Sequence, residues 1–350
     1  MILSSLLDRA LDLLLRAALL LPSALVALLV LGGLMAKAEV PGCGAASLLP
    51  EFRQSGEYAA LEKAAATVPN GEGRLYRLTR DGRENFLFGT MHLSDPRILA
   101  LPAATKTAFD AAQTVVIETT DILDGAMAQL AILARTDLVN LPAGKTLADY
   151  LDPAQKAAMT EKLGAIGIPL QSVQTLQPWF VAAGMMIPAC EQARMTAGAQ
   201  PLDMRLALDA KAAGKTVLGL EGATEQLEVM ASMPMALQVD SLLATLAVKD
   251  QLPAIFETMI ELYLAGDIAM IQPLSEAVMP KDQVTAEITA GYKAFDARII
   301  TQRNHTMAER MRPMLEKGGA FVAVGALHLP GEEGLVALLA ADGYRVERLD

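Results

Sequence analysis

The chain has 350 residues and a formal charge of −11, from 29 Lys and Arg against 40 Asp and Glu. That acidic surplus argues against nucleic acid as the main partner, because phosphate binding needs a basic face. Apolar residues make up 53% and charged residues 20%, which excludes disorder and supplies a large core, while 4% aromatics with one Trp argue against a stacked-ring binding platform.

The chain begins with Asp8, Arg9, Asp12 and Arg16 flanking an apolar run of 19 residues at 17–35, followed by Ala36-Lys37-Ala38. A small-x-small triplet after an apolar stretch marks an export signal, expected to be cleaved before Glu39. The run is also just long enough to span a bilayer, so an uncleaved N-terminal anchor is the alternative, although Pro22 and Gly32-Gly33 interrupt it. Val40-Pro41-Gly42-Cys43 is a poor lipobox. Each reading places residues 39–350 outside the cytoplasm, periplasmic or secreted, with membrane contact only through residues 1–38. Cys43 and Cys190 are the only cysteines, too few for a thiolate zinc centre. In an oxidising compartment a disulfide between them is expected; a buried free thiol at Cys190 is the alternative.

Residues 47–66 read as a helix. RLYRLTR and RENFLFGT then flank Asp81-Gly82, two alternating runs around a hairpin turn. Pro102 opens a helix to Ala112, and Thr114–Ile117 is a short buried strand. From 123 to 213 the pattern is helical, broken at Pro142, Gly144, Pro153, Gly167 to Pro169, and Pro178. Residues 215–220 form another strand. More helix follows, then a strand at 321–324, a helix at 335–341 and a last strand at 344–349. Few short strands among many helices indicate an α/β or α+β fold with a modest central sheet. No linker divides residues 39–350, which read as a single domain.

Two pairs of segments echo each other. FLFGTMHL (86–93) and VAVGALHL (322–329) are apolar strands ending in Gly-x-x-His-Leu. TVVIE (114–118) and TVLGLE (216–221) are strands ending on an acid. His92, His328, Glu118 and Glu221 thus share one kind of position, the strand end, where α/β sheets form ligand sites. Only one other histidine, His305, exists. A lone strand-end acid or Gly-x-x-His is ordinary; duplication of both is what points to a shared site. Two imidazoles and a carboxylate, His92, His328 and Glu118, suit Zn²⁺, Mn²⁺ or Co²⁺ in an open hydrolytic centre, with Glu221 in support. HExxH is absent, so the chain is not a zincin. Without metal, a strand-end histidine activated by Glu could act as general base towards water.

These motifs resemble the TraB/GumN family, which is related to the Tiki proteases. The likeness runs through FLFGTMHLSD, VVIET, QPWFVAAGM, PLDMRLALDAKAAGKTV, LEGATEQL, QRNHTMAERM and FVAVGALHLPGEEGLVALLAADGYRV. It implies an erythromycin-esterase/ChaN-like fold and a metal-dependent peptidase activity. Pro201-Leu202 precedes Asp203 where the family usually has Gly and an apolar residue, which leaves the role of Asp203 open.

Arg303-Asn304 matches the family's Arg-Asn pair. Arg303 could hold a substrate carboxylate or oxyanion, or pair with an acid such as Glu221 to hold the site together. His305 would point about 100° away from its neighbour on a helix and reads as a surface residue. Trp179 and the methionines at 185–186 and 230–235 read as core. Glu332 and Glu333 suit a helix N-terminus. The sequence therefore predicts an exported metal-dependent hydrolase acting on a peptide or small molecule through His92, Glu118, Glu221, His328 and Arg303. The alternative is a non-catalytic periplasmic binding protein that sequesters a peptide or haem-like ligand in the same cleft.

Overall fold

The computed structural model describes residues 44–124, 130, 133–278 and 297–350. The expected leader at 1–38 and Cys43, hence the expected Cys43–Cys190 pairing, lie outside them. Cys190 itself is half-buried.

The first helical stretch is two helices rather than one, α1 (Leu49–Ser55) and α2 (Tyr58–Ala65). Gly56 separates them in the left-handed conformation, φ 77°, which ends α1 and turns the chain. Strands β1 (Leu75–Arg80) and β2 (Arg83–Thr90) form the predicted hairpin. Asp81 and Gly82 have φ 52° and 73°, the positive pair that a two-residue type I′ turn requires. Helix α3 (Ala103–Ala111) leads into β3 (Thr114–Ile117).

The long helical stretch contains α4 (Pro153–Ala165), α5 (Pro178–Met186), α6 (Ala189–Thr196) and α7 (Leu202–Ala212). Helix α4 starts where Asp152 and Gln155 cap each other's backbone around Pro153. After β4 (Thr216–Gly219) come α8 (Ala223–Ala231), α9 (Met235–Ala247), α10 (Leu252–Ala265) and α11 (Arg303–Leu315). Strand β5 (Ala320–Gly325), α12 (Leu335–Ala341) and β6 (Arg345–Arg348) complete the chain. The fold is mixed α/β. Among the described residues, no single helix is long and apolar enough to cross a membrane.

The six strands form one sheet in the order β4-β3-β5-β2-β1-β6. Strands β4, β3, β5 and β2 run parallel, and β1 and β6 continue the sheet antiparallel. Parallel strands are covered on both faces, and period-two alternation divides their side chains. Phe88, Val115, Ile117, Phe321 and Ala323 face the layer containing α3, α7 and α10. Leu87, Val116, Val322 and Val324 face α11 and α12. A separate apolar cluster joins α4, α5 and α9, with Met159, Leu163, Met185 and Leu242 inside it. Trp179 is core as expected, its indole N–H donating to the Leu138 carbonyl at 3.0 Å.

Because the central strands are parallel, their C-terminal ends lie along one edge of the sheet. The first Gly-x-x-His has a packing reason. A Cβ on Gly89 would come within 2.9 Å of Ala326 Cα and 2.6 Å of Leu329 Cδ1, so only glycine lets β2 approach the turn that follows β5. Gly89→Ala should therefore cost about 1–3 kcal/mol by overpacking. Urea unfolding of the metal-free protein checks this; a midpoint equal to that of the parent would refute the close-packing account.

Candidate metal centre

The edge formed by β4, β3, β5 and β2 gathers all four strand-end residues. Glu118 directly follows β3 and Glu221 lies two residues past β4. His92 lies two residues past β2, and His328 closes the short 3₁₀ turn Ala326–His328 after β5. Glu118 is the hub. Its Oε1 is 3.8 Å from His92 Nε2 and 3.9 Å from His328 Nε2. The same oxygen accepts the Gly325 backbone N–H at 2.7 Å, while Oε2 accepts from Arg303 Nη2 at 2.7 Å.

Each imidazole is oriented through its other nitrogen. His92 Nδ1 pairs with Asp203 Oδ2 at 2.7 Å, and the hydroxyl of Thr90 donates to Asp203 Oδ1. His328 Nδ1 sits 2.6 Å from Asn304 Oδ1, whose own amide nitrogen donates to the Glu333 carbonyl at 2.8 Å. That second bond fixes the amide's orientation, so His328 Nδ1 is the protonated nitrogen and its Nε2 carries a free lone pair. A lone pair facing a carboxylate oxygen with no proton between them is a place for a cation or a water. Holding the distal nitrogen of a histidine this way is how proteins orient metal-binding imidazoles.

The electrostatics follow from burial and charge. Burial pushes His328 down to about 4, so this ring, 5% exposed, is neutral at pH 7. His92 is raised to about 9, chiefly by the Asp203 charge; its ring is 60% exposed, so surrounding water moderates that attraction. Burial opposes the ionised form of Glu118, yet His92, His328, Arg303 and the Gly325 N–H together hold it at about 2.

Arg303 is fully committed within the site. Nε and Nη2 clasp Glu221 at 2.7 to 3.1 Å, and Nη2 also reaches Glu118. Of the two roles read from sequence, the geometry matches the one in which Arg303 holds the acids together. Gln226, which the sequence did not single out, lies 3.3 Å from both Glu118 and Glu221 and bridges them. Asp203 and Asn304 also gain roles that the sequence left open. His305 points away, is exposed, and pairs with Glu333 at 2.6 Å. The helix after Glu332-Glu333 begins later, at Leu335, with Gly334 as its cap.

Among the described residues, no three His, Cys, Asp or Glu side chains are gathered tightly enough to form a metal centre as they stand. The donor chemistry nonetheless fits a divalent ion. Two ligands bonded at about 2.0–2.2 Å to one tetrahedral ion lie about 3.3–3.6 Å apart, so the two Nε2 to Oε1 separations of 3.8 and 3.9 Å would close by a few tenths of an ångström around it. His92, His328 and Glu118 would hold it, and Asp203 and Asn304 would brace the imidazoles.

A parallel-centred sheet thus carries two braced histidines and two glutamates at one edge. Residues 74–348 match the TraB/PrgY/gumN family, and the chain belongs to it. It is 26% identical over 317 residues to "Metalloprotease TIKI1" of Danio rerio, covering 78% of this chain and 62% of that protein. The human protein of the same name is 23% identical over 316 residues, covering 78% and 61%. "Uncharacterized protein YbaP" of Escherichia coli (strain K12) is 25% identical over 267 residues, covering 75% and 90%. The chain thus spans about three fifths of the TIKI1 proteins and nine tenths of YbaP. No solved structure matches.

Proposed function

We propose that this protein is an exported, metal-dependent hydrolase of peptide bonds, with His92, His328 and Glu118 as the metal ligands. The observation that carries the reading is the placement of two imidazole Nε2 atoms 3.8 and 3.9 Å from one Glu118 oxygen, each ring braced through Nδ1. The relatives named metalloproteases support it. A bound divalent ion would polarise a carbonyl and lower the pKa of a bound water. The His92 ring is exposed and could meet substrate, whereas His328 and Glu118 are buried. Arg303 compensates the two glutamates, so a carboxylate pair persists at a buried edge without mutual repulsion. The proposed substrate class is peptides.

Elemental analysis of purified protein, with a peptide-library assay, tests the reading. About one equivalent of Zn, Mn or Co should co-purify or rebind, and His92→Ala/His328→Ala should lose both metal and turnover while keeping its far-UV circular dichroism. A parent protein that binds a peptide or haem-like ligand without forming product would instead establish the sequestering protein.

Export belongs to the same proposal. Protein recovered from the periplasm or medium should begin at Glu39 on N-terminal sequencing. An intact Met1 on membrane-bound material would replace the cleaved signal with the anchor.

A further inference from the structure

The ring of His92 is 60% exposed and that of His328 is 5% exposed. His328 is placed by packing on all sides. His92 has little packing, so its position must come from Asp203 and from the backbone that carries it. That backbone is tied down at successive points. The Leu93 carbonyl accepts from Leu202 N on α7 at 3.1 Å, and Ser94 N donates to Glu191 Oε1 on α6 at 2.6 Å.

Glu191 is an unusual residue to find there. It is 1% exposed, and its second oxygen takes Arg194 Nε and Nη2 at 3.1 and 2.7 Å. Arg194 Nη2 lies 3.7 Å from Asp95 Oδ2. Asp95 caps the next helical turn and binds Arg97, whose guanidinium forks onto Glu257 of α10 at 2.6 and 2.8 Å. Burying a carboxylate this deeply is costly, and the same hold on the chain could be had from an exposed polar group. A buried ion pair that grips a backbone N–H two residues from a site histidine fixes position rather than adding stability.

We propose that Glu191 is a positioning residue for His92: with Arg194 it pins Ser94 and thereby sets where the exposed imidazole stands. The metal-affinity part of this inference rests on the function proposed above; the ring-order part does not. Replacing a buried ion pair with apolar residues of similar size is often neutral for stability, so Glu191→Leu/Arg194→Leu should fold while leaving Ser94 N without its acceptor.

The test is ¹³C relaxation of the ring Cε1–H groups in metal-free protein, which three histidines make simple to resolve. The His92 order parameter should fall from near 0.85 to below about 0.6, with His328 unchanged. In parallel, Mn²⁺ or Co²⁺ affinity by titration calorimetry should drop about 10–100-fold, as for loss of other groups that brace metal ligands. Unchanged His92 order overturns the proposal, as does equal loss of order at both rings, which would mean general loosening. If the parent binds no ion, the proposed function fails, and His92 ring order still decides this inference. Should the double variant not fold, Glu191→Met/Arg194→Met, which keeps side-chain length but offers Ser94 N no oxygen, is read the same way.

Discussion

Glu118→Gln should abolish metal binding and hydrolysis while preserving the fold. Gln keeps the shape but cannot supply a charged oxygen to an ion, and its amide would set N–H groups against either Arg303 Nη2 or Gly325 N, both of which donate to Glu118. Metal affinity should fall further than the about 10–100-fold typical of losing an outer bracing group. The metal-free protein should also report the change through pH. The folded Glu118 carboxyl titrates at about 2 against an ordinary 4.5, a depressed value, so its ionised form favours the folded state. The contribution is complete above pH 4.5 and is lost as pH falls towards 2. Denaturant unfolding should therefore show Glu118→Gln less stable than the parent at pH 6 to 7, with the difference shrinking below pH 4.5. A gap that stays constant across that range would mean the carboxylate is not stabilised by its neighbours.

Much of this edge was legible in sequence because it follows from strand ends. Apolar runs of four to six residues fix where β2, β3, β4 and β5 stop, and parallel pairing brings all four stops to one edge. Repetition of Gly-x-x-His and of strand-Glu then named His92, His328, Glu118 and Glu221 without any knowledge of contacts. The hairpin, α3 and β3 were equally readable, because their turn residues and proline starts act locally. The helix read at 47–66 ran through Gly56; a single glycine in a helical pattern was insufficient signal for a left-handed break.

What escaped the sequence was the layer that orients the imidazoles. Asp203 meets His92 from 111 residues away on α7, and Gln226 reaches Glu118 across 108 residues. No local period encodes such meetings. Consecutive helical residues project about 100° apart, which correctly sent His305 to the surface. The same rotation lets Arg303 serve Glu118 and Glu221 while Asn304, one step on, serves His328. The Arg-Asn pair is thus two tools on adjacent faces of one helix start.

Gly325→Ala should disable the centre through space alone. The residue has φ −52°, open to any amino acid, so no backbone strain protects the glycine. Its missing side chain is the reason it is there. A Cβ would lie 3.2 Å from Glu118 Oε1, 3.4 Å from His92 Nε2 and 3.5 Å from His328 Cδ2, in the middle of the three proposed ligands. The methyl group would push Glu118 off the Gly325 N–H by a few tenths of an ångström and take up room that an ion's coordination shell needs. A misplacement of 1 Å can cost about 10²-fold in rate, so a loss of about 10–100-fold in metal affinity and turnover is expected, with thermal unfolding little changed. Gly164→Ala provides the contrast: that glycine lies within α4, a Cβ there meets nothing within 4 Å, and helix propensity predicts a gain of about 0.5–1 kcal/mol with an unaltered site. Full metal affinity in Gly325→Ala would show that the ion, if bound, does not sit between Glu118 and the two histidines.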